Sequence, residues 1–275
     1  MGAIIWLASY PKSGNTWLRA FLHNLLRNPS QPTDINQLDR FALGDSQKMW
    51  YAEVADRPLE DMEIADIVAL TPAVHQRMTQ AFPDSIFVKT HNFLGELFDQ
   101  QLITMSCSAG GIYVIRNPLD VSVSLAHHFG CTIDEAIDML NDPNCSTPED
   151  AVNVPQYYGD WSHHVRSWTG QENAQLLVLR YEDMTDKPNK TFARVAKFIG
   201  VSPPRQRLQK AIKFSSFKVL QGQEKKHGFK ERPVNAESFF RQGRPGQWRQ
   251  ALSTAQIARI SDCHHEQMAR FGYMP

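Results

Sequence analysis

The chain has 275 residues, and its 29 Lys and Arg balance its 29 Asp and Glu, so the formal net charge is zero. Hydrophobic residues make up 42% of the sequence and charged residues 21%, which excludes a disordered or fibrous chain. The balanced charge argues against nucleic-acid or membrane partners but allows a local basic pocket. No apolar run approaches the roughly 18 residues of a membrane-spanning helix.

The cysteine pattern is typical of a reducing compartment. Cys107, Cys131, Cys145 and Cys263 form no C-x-x-C pair and are too sparse for a disulfide framework or a zinc site. The apolar run at 3–8 is too short for a secretory signal and follows no basic segment. We therefore expect a cytoplasmic protein.

In chain order, the first predicted elements are a strand, a polar turn and a helix. Residues 3–9 form a short apolar run, and from Asn15 apolar residues recur every three or four positions. Residues 28–70 are weakly patterned and contain several loop formers. Thr71, followed by proline, predicts a helix N-cap and a helix that ends near residue 82.

The rest of the chain continues to alternate strands with helices. Strands are predicted at 85–89, 111–115 and 175–180. Helices are predicted at 118–129, 157–168, 192–199 and 253–271, and a capping box at 132–135 predicts the start of another short helix. Residues 218–247 are polar and glycine-containing, which predicts a long loop, and such loops are usually functional or mobile. The pattern predicts one α/β domain over 1–275, with a mostly parallel sheet flanked by helices.

The turn after the first strand is a candidate anion site. A strand-to-helix loop presents unpaired backbone N–H groups and the positive end of the helix dipole. Lys12 adds charge, Gly14 permits close approach, and Ser13 and Thr16 add hydroxyl donors. The stretch is not a true P-loop, because its lysine precedes its glycine. A plain turn with a solvated Lys12 is the alternative.

Two later strand ends also carry polar side chains. His91 follows the 85–89 strand, and in open α/β sheets ligands bind at the carboxyl ends of strands, where a histidine can act as a general base. Arg116 ends the 111–115 strand, and Ser124 lies eight residues further on, so both could reach one phosphate. The alternatives are a surface histidine and an arginine in a structural salt bridge.

Six ordered segments make the chain resemble the cytosolic-type sulfotransferases, which use 3′-phosphoadenosine 5′-phosphosulfate (PAPS). The segments are Y-P-K-S-G-N-T-W (10–17), K-T-H (89–91), Y-V-I-R-N-P-L-D-V-S-V-S (113–124), L-R-Y-E-D-M (179–184), S-S-F-K (215–218) and F-F-R-Q-G-R-P-G-Q-W (239–248). The resemblance implies a fold related to the P-loop kinases. It also implies transfer of a sulfuryl group from PAPS to the hydroxyl of a small alcohol or phenol, which leaves 3′-phosphoadenosine 5′-phosphate (PAP).

The resemblance also implies roles for individual residues. The 5′-phosphosulfate would be held by Lys12, Ser13, Gly14, Asn15 and Thr16. The adenine would be enclosed by Trp17 and Phe217, with Tyr181 at its edge. The 3′-phosphate would be held by Arg116, Ser124, Arg241 and Gly243, in cofactor segments that also include Ser216, Phe240 and Gln242. The catalytic residues would be His91 as general base, with Lys12 and Lys89 balancing the charge on oxygen. We expect no metal, since lysines can supply that charge.

Three positions differ from the vertebrate pattern of the family. Asn15 replaces a threonine, Gln242 a lysine and Gln247 an aspartate, but amide side chains can still donate hydrogen bonds. The dimerisation signature K-x-x-x-T-V-x-x-x-E would fall on 249–258, which reads R-Q-A-L-S-T-A-Q-I-A. The oligomeric state therefore stays open, and so does the identity of the acceptor.

Two other functions are compatible with parts of the sequence. A P-loop kinase of a small alcohol would need a lysine where Asn15 stands and an acidic magnesium ligand, for which Asp120 and Asp183 are candidates. A non-catalytic nucleotide-binding module would not need both Lys12 and His91, which the chain retains.

Overall fold

The computed structural model describes residues 2–234 and 236–275. The strands are β1 (Ile4–Ser9), β2 (Ala42–Gly44), β3 (Ile86–Thr90), β4 (Glu96–Leu97), β5 (Gln100–Gln101), β6 (Ser108–Ile115) and β7 (Leu176–Arg180). Five of them form a parallel sheet with the order β2-β3-β1-β6-β7, and β4 and β5 form a two-stranded antiparallel ribbon. The predicted α/β fold with a mostly parallel sheet is confirmed.

Helices cover both faces of this sheet. The α-helices are α1 (Asn15–Arg27), α2 (Leu38–Phe41), α3 (Lys48–Ala52), α4 (Ile64–Ala69), α5 (Thr71–Ala81), α6 (Pro118–Phe129), α7 (Ile133–Asn141), α8 (Trp161–Thr169), α9 (Tyr181–Asp186), α10 (Pro188–Phe198), α11 (Arg205–Phe214), α12 (Phe217–His227), α13 (Trp248–Ala251) and α14 (Thr254–Phe271). No helix among the residues that the structure describes has the length and apolar character needed to cross a membrane.

The alternation of side chains along β1 divides the core into two halves. Leu7 packs on one face with Leu18 and other apolar residues of α1. Trp6 packs on the opposite face in a cluster that includes Trp161 and Trp168 of α8. The aromatic stripe predicted as core is confirmed at Trp161 and Trp168, which are buried. The predicted helix start at residue 157 is wrong, because Tyr157 precedes α8 and is half-buried.

Parallel pairing brings the carboxyl ends of the strands to one edge of the sheet. Ala8 of β1 aligns with Thr90 of β3 and with Tyr113 of β6, and Ile115 aligns with Arg180 of β7. The loops that follow β1, β3, β6 and β7 therefore leave the same edge, and each carries residues of the predicted site.

Three further sequence predictions need correction. Residues 28–70 contain the edge strand β2 and the short helices α2 to α4. Thr71 is the first residue of α5 and not its N-cap, because Leu70 already has helical dihedral angles. Residues 217–227 form α12 and are not part of a loop. This helix buries only a narrow stripe around Leu220 and Glu224, which left little periodicity to detect.

Candidate active site

The loop between β1 and α1 has the shape of an anion cradle. Lys12 and Gly14 have positive φ angles of 65° and 107°, and the N–H of Ser13 donates to the carbonyl of Tyr10. The first amides of α1 have no acceptor within the helix. A Cβ on Gly14 would lie 2.7 Å from Cδ2 of Tyr181, so this position must stay without a side chain.

Arg116 joins this cradle to the end of β6. Its Nη1 donates to the carbonyl of Lys12 at 2.9 Å, and its guanidinium lies 4.3 Å from the ring centroid of Tyr181. Arg116 is buried, and its Nε has no hydrogen-bond partner. Ser13 also has a buried hydroxyl oxygen without a partner. Because buried polar groups are normally paired, these atoms fit an anionic ligand such as a nucleotide phosphate.

The side chain of Lys12 contacts His128, which the sequence analysis did not select, and Phe239, which opens the predicted segment 239–248. Its Nζ lies 3.1 Å from Nδ1 of His128 and 4.0 Å from the ring centroid of Phe239. Burial, together with the charges of Arg116 and Lys89, lowers the pKa of Lys12 to about 7. Since the Lys12 ammonium can only donate, His128 accepts through Nδ1.

Hydrogen bonds fix the tautomer of His91. Its Nδ1 lies 2.7 Å from the carbonyl oxygen of Ser9 and must donate to it, which leaves Nε2 as the basic nitrogen. Nε2 of His164 donates to the carbonyl of His91, and Nδ1 of His164 accepts from the hydroxyl of Tyr113. Burial and then the charge of Lys89 lower the pKa of His91 well below its usual range. His91 is therefore neutral at physiological pH.

A buried carboxylate fixes the chain next to His91. Asp45 follows β2 and accepts hydrogen bonds from Nδ2 of Asn92 at 3.0 Å and from Nε2 of Gln156 at 3.3 Å. The indole of Trp168 donates to the carbonyl of Asn92. Burial raises the pKa of Asp45. Sequence analysis missed this residue because it lies in the weakly patterned stretch.

The helix α12 anchors the segment that precedes residue 248. The carboxylate of Glu224 accepts from the backbone N–H groups of Phe239 and Phe240, at 2.7 and 2.9 Å. Nε2 of Gln221 donates to the carbonyls of Phe240 and Arg241. These contacts fix the backbone from Phe239 to Arg241.

The same segment is attached to α6 at its other end. Asp120 accepts from the N–H of Gly246 at 2.6 Å and of Trp248 at 3.1 Å. Arg241 donates to the side chain of Gln247, and the charge of Arg116 contributes, after burial, to lowering the pKa of Arg241. Asp120 therefore has a structural role, which weakens its candidacy as a magnesium ligand.

The aromatic residues predicted to enclose adenine lie around one hydrophobic cluster. Trp17 meets Tyr181 edge to face, with centroids 5.7 Å apart, and both Trp17 and Phe217 pack against the cluster that contains Phe240. Gly243 has a φ of 63°, and a Cβ there would overlap the ring of Phe217. The backbone at Gly243 thus lies directly against Phe217.

Four predicted site residues have side chains that are bonded to other groups of the protein or lack a contact within the site. The amide of Asn15 donates to the carbonyl of Leu7 at 2.7 Å, so its backbone N–H is the group left for a ligand. Gln242 is exposed and accepts from Arg244. Ser216 is the N-cap residue of α12 and makes no side-chain capping bond, and Ser124 is half-buried on α6.

A buried ion pair near the cradle had no signal in the sequence. Nη1 and Nη2 of Arg19 donate to the two carboxylate oxygens of Glu231 at 2.8 and 2.5 Å, across 212 positions of the chain. Nη2 also lies 3.2 Å from Oγ1 of Thr16. Burial would raise the pKa of Glu231, but Arg19 outweighs it and lowers this pKa to about 2.

Within 2–234 and 236–275, no group of three or more His, Cys, Asp or Glu could hold a metal ion.

Comparison with known proteins identifies the family of this chain. A family model for the sulfotransferase domain matches residues 4–272. Sulfotransferase 1A1 of the dog is 25% identical over 274 residues, which cover 97% of this chain and 83% of the relative. Cytosolic sulfotransferase 13 of Arabidopsis thaliana is 26% identical over 282 residues, covering 96% of this chain and 76% of the relative.

The fold also resembles solved structures. A crystal structure of retinol dehydratase in complex with androsterone and the inactive cofactor PAP superposes with a TM-score of 0.66 at 18% identity, covering 96% of this chain and 80% of that one. The superposition supports the fold, and the family model spans nearly the whole sequence. This chain therefore belongs to the sulfotransferase domain family.

Proposed function

We propose that this protein transfers the sulfuryl group of PAPS to the hydroxyl of a small alcohol or phenol, with His91 as the general base. The observation that carries the proposal is the hydrogen bond from Nδ1 of His91 to Ser9, which leaves Nε2 unprotonated beside Lys89 and the anion cradle. Membership in the sulfotransferase domain family supports the same reaction class.

The residues of the cradle would hold the 5′ end of PAPS. Ser13, Thr16 and the first amides of α1 supply neutral donors, and Lys12 supplies a charge. Arg116 and Arg241 would hold the 3′-phosphate, since a guanidinium offers several donors in a fixed plane. When bound, PAPS supplies an activated sulfuryl group.

The chain's own contribution is to place a base and positive charges around one point. The neutral His91 can take the hydroxyl proton on Nε2, which contributes roughly 10²- to 10⁴-fold to the rate. Lys89 and Lys12 stabilise charge that develops on oxygen. Burial lowers the pKa of Lys12 to about 7, and a bound anion next to it would raise this pKa and favour the charged lysine.

Aromatic side chains near Lys12 favour an aromatic or lipid-like acceptor. The ring of His128 lies 5.0 Å from that of Phe129 and 6.0 Å from that of Phe239, between centroids. The androsterone bound to retinol dehydratase is an alcohol of this kind.

We further propose that the protein is cytosolic, as the name of the Arabidopsis relative states for that protein, and that 1–275 form one domain.

Replacement of His91 tests the proposal. We expect His91→Gln to lower the turnover number by about 10²- to 10⁴-fold, with 2-naphthol or androsterone as acceptor, and to change PAP affinity by less than about twofold. Transfer is followed with ³⁵S-labelled PAPS and binding by titration calorimetry. His265→Gln is the matched control, since His265 is exposed on α14.

Either of two results would contradict this function. Turnover of the His91→Gln variant within about tenfold of wild type would remove the role of general base. Nucleotide binding that needs Mg²⁺ and prefers ATP to PAP would favour the kinase.

A further inference from the structure

The ion pair of Arg19 and Glu231 lies directly behind the anion cradle. Arg19 is on the second turn of α1 and is buried, with 1% of its surface exposed. Its guanidinium reaches Thr16 on one side and the carboxylate of Glu231 on the other. Glu231 comes from the segment between α12 and α13, which also carries Arg241 and Gly243.

We propose that Arg19, held in place by Glu231, positions the hydroxyl of Thr16 as a donor to the 5′-phosphate of the cofactor. A threonine hydroxyl has one proton and two lone pairs, and a guanidinium can only donate. The Nη2–H of Arg19 therefore occupies a lone pair of Thr16 Oγ1. The hydroxyl proton remains free to point into the cradle. Arg19 is thus a positioning residue, and its role rests on the proposed function.

The surroundings of Thr16 leave its hydroxyl proton few other places to go. Thr16 is buried, with 8% exposed, so bulk water has little access to its side chain. Among the described parts of the chain, its Oγ1 makes no hydrogen bond other than the one from Arg19. A charged donor also polarises the hydroxyl and strengthens the bond that its proton then makes.

Glu231 keeps the guanidinium in the required plane. Two parallel N–H···O bonds fix the orientation of an arginine more firmly than one contact can. The carboxylate of Glu231 also offsets the repulsion between Arg19 and the nearby Lys12 and Lys89, because both lysines lie close enough to contribute to lowering the pKa of Glu231. Since Glu231 lies in the segment that carries Arg241, the ion pair ties the two phosphate-binding ends of the site together.

The test compares two ligands that differ only at the 5′ end. PAP carries both phosphates, and adenosine 3′-phosphate lacks the 5′-phosphate. We expect Arg19→Met to lower the ratio of their association constants by about tenfold, the effect of one charge-assisted hydrogen bond. The ratio cancels any general loosening of the segment. Arg259→Met, which removes exposed ion pairs with Asp134 and Asp138, is the matched control and should leave the ratio unchanged.

Further variants separate positioning from a structural role. Thr16→Val should lower the ratio, and adding Arg19→Met to it should lower the ratio little further, since both changes remove the same bond. Arg19→Lys should restore part of the ratio. Glu231→Gln leaves Arg19 in place and should lower the ratio by about threefold, so the proposal stays testable if Arg19→Met fails to fold.

The outcomes distinguish this inference from the proposed function. A wild-type protein that binds PAP tightly, with an unchanged ratio in Arg19→Met and Glu231→Gln, would overturn the role of Arg19 alone. Full additivity of Thr16→Val and Arg19→Met would do the same. A wild-type protein that does not bind PAP would overturn the proposed function and this inference with it.

Discussion

Lys12 is expected to destabilise the folded protein when no anion is bound. Its pKa falls from 10.5 to about 7, first because the side chain is buried and then because Arg116 and Lys89 are close. Glu231 and Glu224 offset only part of this effect. Replacing Lys12 with methionine, which keeps the apolar stem against Phe239, should therefore stabilise the fold and still weaken cofactor binding.

The pKa values set the size and the pH dependence of this effect. Below pH 7 Lys12 is charged in both the folded and the unfolded protein, and the lowering of its pKa on folding corresponds to about 5 kcal/mol against folding. Between pH 7 and 10.5 only the unfolded chain keeps the proton, so wild-type stability rises with pH and the penalty disappears near pH 10.5. Because Lys12 is half-buried and part of its surface meets solvent, we take about half of this value.

The prediction for Lys12→Met is then quantitative. Its free energy of unfolding should exceed that of wild type by about 2 kcal/mol at pH 6 and by less than about 0.5 kcal/mol at pH 10. Its affinity for PAP should fall by about 10- to 100-fold, as expected for a lost charge-assisted hydrogen bond. Urea unfolding at both pH values and titration calorimetry provide the measurements.

A matched variant keeps this reasoning open to refutation. Lys190 is exposed on α10, outside every predicted site segment, so Lys190→Met should change neither the stability difference between pH 6 and 10 nor PAP affinity. Lower stability of Lys12→Met than of wild type at pH 6 would refute the reasoning, because it would show that the charge of Lys12 favours folding. A stability difference independent of pH would refute it as well.

Two further predictions concern the segment that would hold the 3′-phosphate. Asp120→Asn places an amide against the N–H of Gly246 or Trp248, and PAP affinity measured by calorimetry should fall about tenfold, whereas unchanged affinity would contradict this role. Gly243→Ala adds a Cβ at positive φ that overlaps Phe217, so we expect about 1–2 kcal/mol of strain and at least tenfold weaker PAP binding. Wild-type affinity of that variant would show that the ring can move without loss.

The parts of the fold that sequence predicted are those encoded by short-range patterns. The β1 strand, the polar turn and α1 lie within 27 residues, and each has a clear period or turn signal. Helix α12 was missed because it buries few side chains, and one of them is the carboxylate of Glu224. A buried glutamate is unusual in a helix. Here its burial is explained by the hydrogen bonds that its carboxylate accepts from the backbone N–H groups of Phe239 and Phe240.

Chemistry at strand ends singled out Lys12, His91 and Arg116 as candidates, and the resemblance to the sulfotransferases supplied most of the other predicted site residues. The residues that were missed act through distant partners. Nothing near Arg19 in the sequence indicates that it meets Glu231. Asp45 lies in a stretch without periodicity, and its role depends on Asn92. His128 was one of ten histidines, and only the fold shows that Lys12 donates to it. Such contacts depend on tertiary packing, which no local pattern encodes.

The charge balance of the site differs from that of the whole chain. The chain is formally neutral, yet Lys12, Arg19, Lys89 and Arg116 gather at one sheet edge, where Glu231 is the carboxylate that pairs directly with one of them. In a poorly solvated place, such an excess of positive charge opposes folding until an anion neutralises it. An anionic ligand that relieves this repulsion binds more tightly for that reason. The stability that Lys12→Met gains at pH 6 thus measures the strain that ligand binding would release at this residue.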